Sequence, residues 1–246
     1  MKALINTRLR LVVATGFFGF SSLILAFTIA WLVLAKLNFL YPVWHDHVGI
    51  AEGIEKYGPK NRYKTGFAET SRAQRISLFE GINKSVHRHG EGLAELAYQS
   101  PSSEGPQLLL REPEIIHLQD VANLLDKLKW LVGINALIWA AGFLYLLKFR
   151  RPSITWKSQV LGVGVMLVCV IGLMLFIGPV TVFNQLHVWV FPGEHQWFFY
   201  YQESLMSTMM LAPDLFGWIA AELIFAAFTI FFALICSVDY LTKRRE

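Results

Sequence analysis

Four stretches of the chain are apolar on every side, with neither the alternation of a half-buried strand nor the stripe of an amphipathic helix. They run over residues 11–35, 130–147, 158–179 and 215–238. A helix needs about 20 apolar residues to cross a bilayer core, and these runs hold no charged side chain except Glu222 in the last. Unbroken apolar runs in lipid are satisfied by helices, which close their own backbone hydrogen bonds. The first run is too long for a leader-peptide core and reads as an uncleaved anchor.

The intervening segments have patterns of their own. Ile76, Phe79, Ile82 and Val86 recur at helical spacing between Gln74 and Leu96, before a Gly90-Glu91-Gly92 break and a second short apolar pattern at Leu93, Leu96 and Ala97. Residues 99–106 form a turn-rich loop, and Glu112-Pro113-Glu114 reads as a helix start. Only Gly133 and Gly142 interrupt the sequence from there to Leu147, so one helix is expected to descend into the second span. Residues 180–214 are rich in aromatic side chains, as at a headgroup boundary. The expected fold is an all-α integral membrane protein, a single membrane domain over residues 1–246 with four transmembrane helices. A mainly helical extracytoplasmic region, residues 36–129, joins spans 1 and 2. An aromatic-rich interfacial segment, residues 180–214, joins spans 3 and 4.

Composition removes the soluble alternative. Hydrophobic residues make up 54% of the 246 and charged residues 16%, against about 25% charged in soluble domains. The net charge of +4 matters through its placement. Lys2, Arg8, Arg10, Lys148, Arg150, Arg151, Lys157, Lys243, Arg244 and Arg245 fall on one side of the spans, with only Asp239 and Glu246 against them. The positive-inside rule makes that side the cytoplasm and places both termini there.

All seven histidines fall on the opposite side. His117 lies about a dozen residues above the second span, and His187 follows the third. Asp120 is three residues beyond His117 and shares its helix face; a carboxylate beside an imidazole suits a general base. Glu222, a carboxylate within a span, is expected to line or support a polar site, with His187, Asn184 and Gln185 as candidate partners. His45-Asp46-His47 and His87-Arg88-His89 are weak half-sites for zinc or copper, and no metal ligand is assigned. Cys169 and Cys236 lie within spans, away from any outer site. No G-x-S-x-G, H-E-x-x-H, phosphate-loop or C-x-x-C motif occurs.

The stretch Glu114-Ile115-Ile116-His117-Leu118-Gln119-Asp120-Val121 resembles the His-x-x-Asp-Val block before the second span of a bacterial integral membrane family that includes the lipoprotein intramolecular transacylase. Phe183, His187, Phe191, Pro192, Trp197, Leu205, Pro213 and Phe216 resemble its aromatic-His-proline-Trp block. Leu186 and Val190 depart from the aromatics expected around that histidine, and residues 57–63 do not match the family's outer region. The resemblance implies a membrane acyltransferase of the bacterial cytoplasmic (inner) membrane. It would move an acyl chain within a lipoprotein's N-terminal lipid anchor, without a cofactor. His117 would be the base, His187 its partner and Asp120 the group that orients His117. Trp197, Phe183, Phe191, Asn184 and Glu222 are the expected substrate-binding residues, for a lipid-anchored protein or membrane lipid. Nucleic acid is not an expected partner. The outer histidines leave a copper- or zinc-binding membrane protein open, and the aromatic segment leaves open a non-catalytic subunit of a membrane complex.

The charge pattern makes a direct prediction. A reporter fused after Glu246 should be cytoplasmic and one inserted at Ser102 extracytoplasmic, read by paired alkaline phosphatase and fluorescent protein fusions. Both reporters on one side would exclude the four-span topology.

Overall fold

The structure, a computed structural model, describes residues 2–149, 156–191 and 193–243. Arg150, Arg151, Arg244 and Arg245 of the basic clusters, and Pro192 of the aromatic block, lie outside the described residues. In chain order the elements are α1 (Lys2–Lys36), α2 (Tyr41–His47), α3 (Ile50–Tyr57), α4 (Arg72–His87), β1 (Ala97–Tyr98), β2 (Gln107–Leu108), α5 (Glu112–Phe149), α6 (Trp156–Ile177), α7 (Pro179–Val190), α8 (Leu205–Met210) and α9 (Asp214–Lys243). Helices α1, α5, α6 and α9 are long and apolar enough to cross a membrane. The protein is an all-α integral membrane protein with four transmembrane helices. A mainly helical region, with one two-residue β-ladder, joins spans 1 and 2, and an aromatic segment joins spans 3 and 4.

The chain divides into two compact units. The first takes residues 1–33, 129–177 and 221–246, which contain the membrane-crossing stretches. Its core gathers Phe18, Leu23, Ala26, Leu146, Phe231, Ile235 and Val238. Polar groups near the middle of the first two spans are paired with one another, as a bilayer favours. Ser21 Oγ donates to Asn135 Oδ1 at 2.9 Å, Asn135 Nδ2 returns a bond to the Ser21 carbonyl at 3.1 Å, and Trp139 Nε1 donates to Ser22 Oγ at 2.9 Å. Phe176 is 88% exposed and Val168 72%. Faces of that kind fit lipid and not water. Helix α6 stops at Ile177, two residues before the expected end of the third span, because Gly178 takes a left-handed φ of 99° and Pro179 opens α7.

The second unit takes residues 34–128 and 178–220. Asn38, Phe39 and Leu40 all adopt left-handed φ values, between 47° and 54°, which turns the chain out of α1 and into α2. Asn83 Nδ2 holds this turn through the Ala35 carbonyl at 2.8 Å and Asn38 Oδ1 at 3.3 Å. Tyr41 is fully buried, stacks on Phe79 with ring centroids 4.1 Å apart, and donates from its hydroxyl to the Met209 carbonyl at 2.8 Å. Ile50 and Ile54 of α3 and Leu205 and Met209 of α8 complete the buried core. At Gly53 a Cβ would come within 2.8 Å of Leu211 Cδ1, so α3 runs close to the α8 segment.

The 38 residues of α5 extend about 57 Å, nearly twice a bilayer core of about 30 Å. Its residues through Leu128 belong to the second unit and those from Lys129 to the first. A helix of that length outruns the bilayer core, and its charged side chains, from Glu112 to Lys129, put the excess at the early turns, which carry the site.

Candidate functional site

Glu114, His117 and Asp120 follow one another at three-residue steps along the first turns of α5. Each meets a different part of the segment from α7 to α8. Glu114 is completely buried. Its Oε2 accepts the Arg111 backbone N–H at 2.8 Å, as a third-position carboxylate does in a capping box. Its Oε1 accepts from Ser204 Oγ at 2.6 Å, and the same hydroxyl accepts the Ser207 N–H at 2.9 Å as the N-cap of α8. Burial raises the Glu114 carboxyl above its ordinary value, with the bonds from Ser204 and Arg111 opposing it.

His117 is 8% exposed. Its ring lies 5.0 Å from Phe191, 6.0 Å from His187 and 6.1 Å from Phe199, between centroids. Its Nδ1 is buried and has no hydrogen-bond partner among the described residues. Burial, helped by the neighbouring His187 and opposed by Asp120, pushes its pKa down to about 4. Loss of hydration penalises the charged form of a buried imidazole, so His117 is neutral at physiological pH.

His187 sits on α7, packed against Phe183 at 4.2 Å, Trp197 at 4.9 Å and Phe191 at 5.3 Å, between ring centroids. Its Nδ1 is 2.8 Å from the Phe183 carbonyl one turn earlier. A carbonyl can only accept, so Nδ1 carries the proton and the neutral ring has its lone pair on Nε2. Burial lowers the His187 pKa, and the Phe183 bond raises it in part. The pair thus places two uncharged imidazoles in an aromatic surround, one of them with a fixed tautomer. Such a pair can accept a proton and donate a hydrogen bond without a charge of its own.

The structure brings together His117, His187, Phe183, Phe191 and Trp197. Asn184 is half-buried on the same helix as His187. Asp120 corrects the sequence expectation: its Oδ2 is 2.6 Å from Nδ1 of His195, so its hydrogen bond goes to the loop after α7 and not to His117. Three-residue spacing puts Asp120 on the correct face, but two side chains on adjacent turns do not bond when a cross-element partner is closer. Glu222 lies half-buried on α9, in the first unit. His89 is engaged elsewhere. It lies beyond the end of α4 at φ 58° and pairs with Asp126 Oδ2 at 2.5 Å. His45 is buried with Nδ1 on Asp46 at 2.8 Å, and His87 Nδ1 meets the Asn83 carbonyl at 2.8 Å. Among the described residues no three His, Cys, Asp or Glu side chains group to hold a metal ion.

Sequence reasoning did not single out Glu114, Phe199, Ser204 or His195 for this site. Glu114 had a signal, since it precedes His117 by the interval at which Asp120 follows. His195, two residues before Trp197, had only its proximity in sequence.

A family model described as the lipoprotein intramolecular transacylase Lit matches residues 91–216, just over half of the chain. Comparison with curated protein sequences finds no match. Among solved structures, the chain is similar in fold to the membrane integral lipoprotein intramolecular transacylase Lit from Bacillus cereus. The TM-score is 0.66 at 18% identity, with 96% of this chain and 97% of that one covered. Two histidine-substituted forms of that protein give a TM-score of 0.65 at 19% identity, covering 99% of this chain and 97% or 98% of theirs.

The His117 environment sets a pH dependence. The unfolded side chain takes up a proton near pH 6.5, while the folded one stays neutral down to about 4. Its contribution to stability is complete above pH 6.5 and is lost as the pH falls toward 4, by about 3 kcal/mol. His117→Leu should flatten that part of the profile when thermal unfolding is followed in detergent. An unchanged slope between pH 6.5 and 4 would contradict a buried neutral imidazole.

Proposed function

The chain belongs to the lipoprotein intramolecular transacylase family, and from that premise we propose that it moves an acyl chain from the glyceryl group of a lipoprotein's N-terminal cysteine to that cysteine's α-amino group. The product is a lyso-form lipoprotein, and no cofactor takes part. The reaction occurs at the outer face of the bacterial cytoplasmic membrane, with both termini of the chain in the cytoplasm.

The observation that carries this reading is the pair of uncharged imidazoles on α5 and α7, one buried and one half-buried, with ring centroids 6.0 Å apart. The α-amine, with a pKa of about 7.7–8.0, must shed a proton to become a nucleophile. In the transfer its nitrogen bonds to the ester carbonyl carbon, and the bond from that carbon to the glyceryl oxygen breaks. One amine proton passes through an imidazole to the departing glyceryl oxygen. Both reacting groups belong to one molecule, so holding them together supplies much of the rate.

The fixed tautomer favours His187 as the proton acceptor, through Nε2, whereas the sequence resemblance assigned the base to His117. His117, kept neutral by burial, then serves as a hydrogen-bond donor to the developing oxyanion, a role that suits an imidazole of lowered pKa. Phe183, Phe191 and Trp197 provide apolar walls for the acyl chain. Asn184 is a polar contact for the glyceryl group.

His117→Ala and His187→Ala should each abolish conversion while membrane expression persists, read by mass spectrometry of lipoprotein N-termini in cells that carry or lack the protein. The two roles separate with glutamine, which donates but is not a base. A proton acceptor contributes roughly 10²–10⁴-fold and an oxyanion donor roughly 10²–10³-fold. His117→Gln should therefore retain measurable turnover, and His187→Gln should match His187→Ala. The reverse ranking would return the base to His117, and full activity in both alanine variants would exclude the two-histidine mechanism.

A further inference from the structure

The neutral histidine pair leaves one property of the proposed substrate unrecognised. With a pKa of about 7.7–8.0, a free α-amine is largely an ammonium ion at physiological pH, and uncharged imidazoles give a cation little reason to stay. The acids on the early turns of α5 differ in what they have left to offer. Both oxygens of Glu114 are engaged, one by Ser204 and one by the Arg111 backbone. Asp126 is paired with His89. Asp120, one turn beyond His117, uses Oδ2 for His195, and its Oδ1 accepts no hydrogen bond among the described residues. Its side chain is 14% exposed and that of His195 37%, so the pair is reachable from outside. Because His195 Nδ1 meets a carboxylate, it carries the ring proton, and the neutral ring offers Nε2 as an acceptor. Asp120 is near enough to His117 to act on it electrostatically. Trp197, two residues beyond His195, lies on the His187 ring.

We propose that the Asp120–His195 pair is the subsite for the substrate's free α-ammonium group, with Asp120 Oδ1 and His195 Nε2 as the two acceptors. This rests on the transacylase reading and deepens it. The subsite would hold the nitrogen beside the imidazole that takes its proton. It would also reject an N-terminus that is already acylated, which has no charge and a single N–H for two acceptors. Asp120 is then a substrate-binding residue, and His195 both binds and holds the carboxylate in place.

The test uses two unreactive lipopeptides in detergent, dialkylglyceryl-cysteinyl peptides with ether links in place of the esters. One has a free α-amine and the other an N-acetyl group. The wild-type protein should bind the free amine at least about tenfold more tightly, since a charge-assisted bond is roughly twice as strong as a neutral one and is lost with the charge. Asp120→Asn should bring the two affinities within about twofold, mainly by weakening the amine. Asp120→Glu should restore part of the preference, which a purely structural role for Asp120 would not predict. Equal binding of the two peptides by the wild-type protein, or a preference that survives Asp120→Asn, would overturn the assignment. The wild-type ratio decides the matter alone if Asp120→Asn does not fold. Failure of the wild-type protein to isomerise the ester-linked peptide would instead count against the transacylase reading, independently of the binding ratio.

Discussion

The structure depends on one helix that does not stop at the membrane. Helix α5 continues for several turns outside its membrane-crossing stretch, and on those turns three acid–base side chains each tie down a different part of the segment from α7 to α8. Glu114 takes the hydroxyl that caps α8. His117 meets the aromatic group around His187, and Asp120 takes His195. Residues 193–204 contain no helix of their own. Such a segment is ordered by what it binds, because fixing each residue costs about 1–2 kcal/mol of backbone entropy. The regular helix thus supplies rigid spacing, and the irregular segment supplies the aromatic walls.

Burial then determines the chemistry. Aromatic packing around the two imidazoles removes the water that would stabilise their cations, and both pKa values fall. A histidine held this way is available as a neutral base or donor, not as a resident charge. The tautomer of His187 is set by the Phe183 carbonyl, so an ordinary helix contact, four residues back, defines which nitrogen accepts. Apolar walls next to a neutral acid–base pair suit the cleavage of an ester that arrives attached to lipid. The carboxyl group of Asp120 stands one turn away along α5, bonded to His195.

Much of the fold was legible in the sequence for a simple reason. Residues 11–35 and 158–179 are apolar in every direction, and only lipid accepts that on a helix. The continuity of α5 could be read from its acidic, proline-containing start and the lack of breakers before Leu147. His117 and His187 could be picked out by position, one on a helix above a span and one after a span. Other features had no local signature. The left-handed turn at Asn38–Leu40 uses no glycine and is held by Asn83, 45 residues beyond Asn38. The partner of Asp120 could not be read from helical spacing, which gives a face but not what packs against it. His195 and Ser204 lie in a stretch without periodicity, so their roles emerge only when the chain is folded onto α5.

Under the proposed function, this chain alone rearranges an acyl group within one molecule. Intramolecular transfer leaves the substrate mass unchanged, which provides the most direct measurement. Purified protein would be incubated with two diacylglyceryl-cysteinyl peptides, one isotopically labelled in the acyl chains and the other in the peptide, and the products read by tandem mass spectrometry. The expected products are isomeric with each substrate, with one acyl chain on nitrogen and no exchange of label between the two peptides. Recovery of unchanged substrate, loss of an acyl chain as free fatty acid, or label appearing on the other peptide would contradict the proposed function.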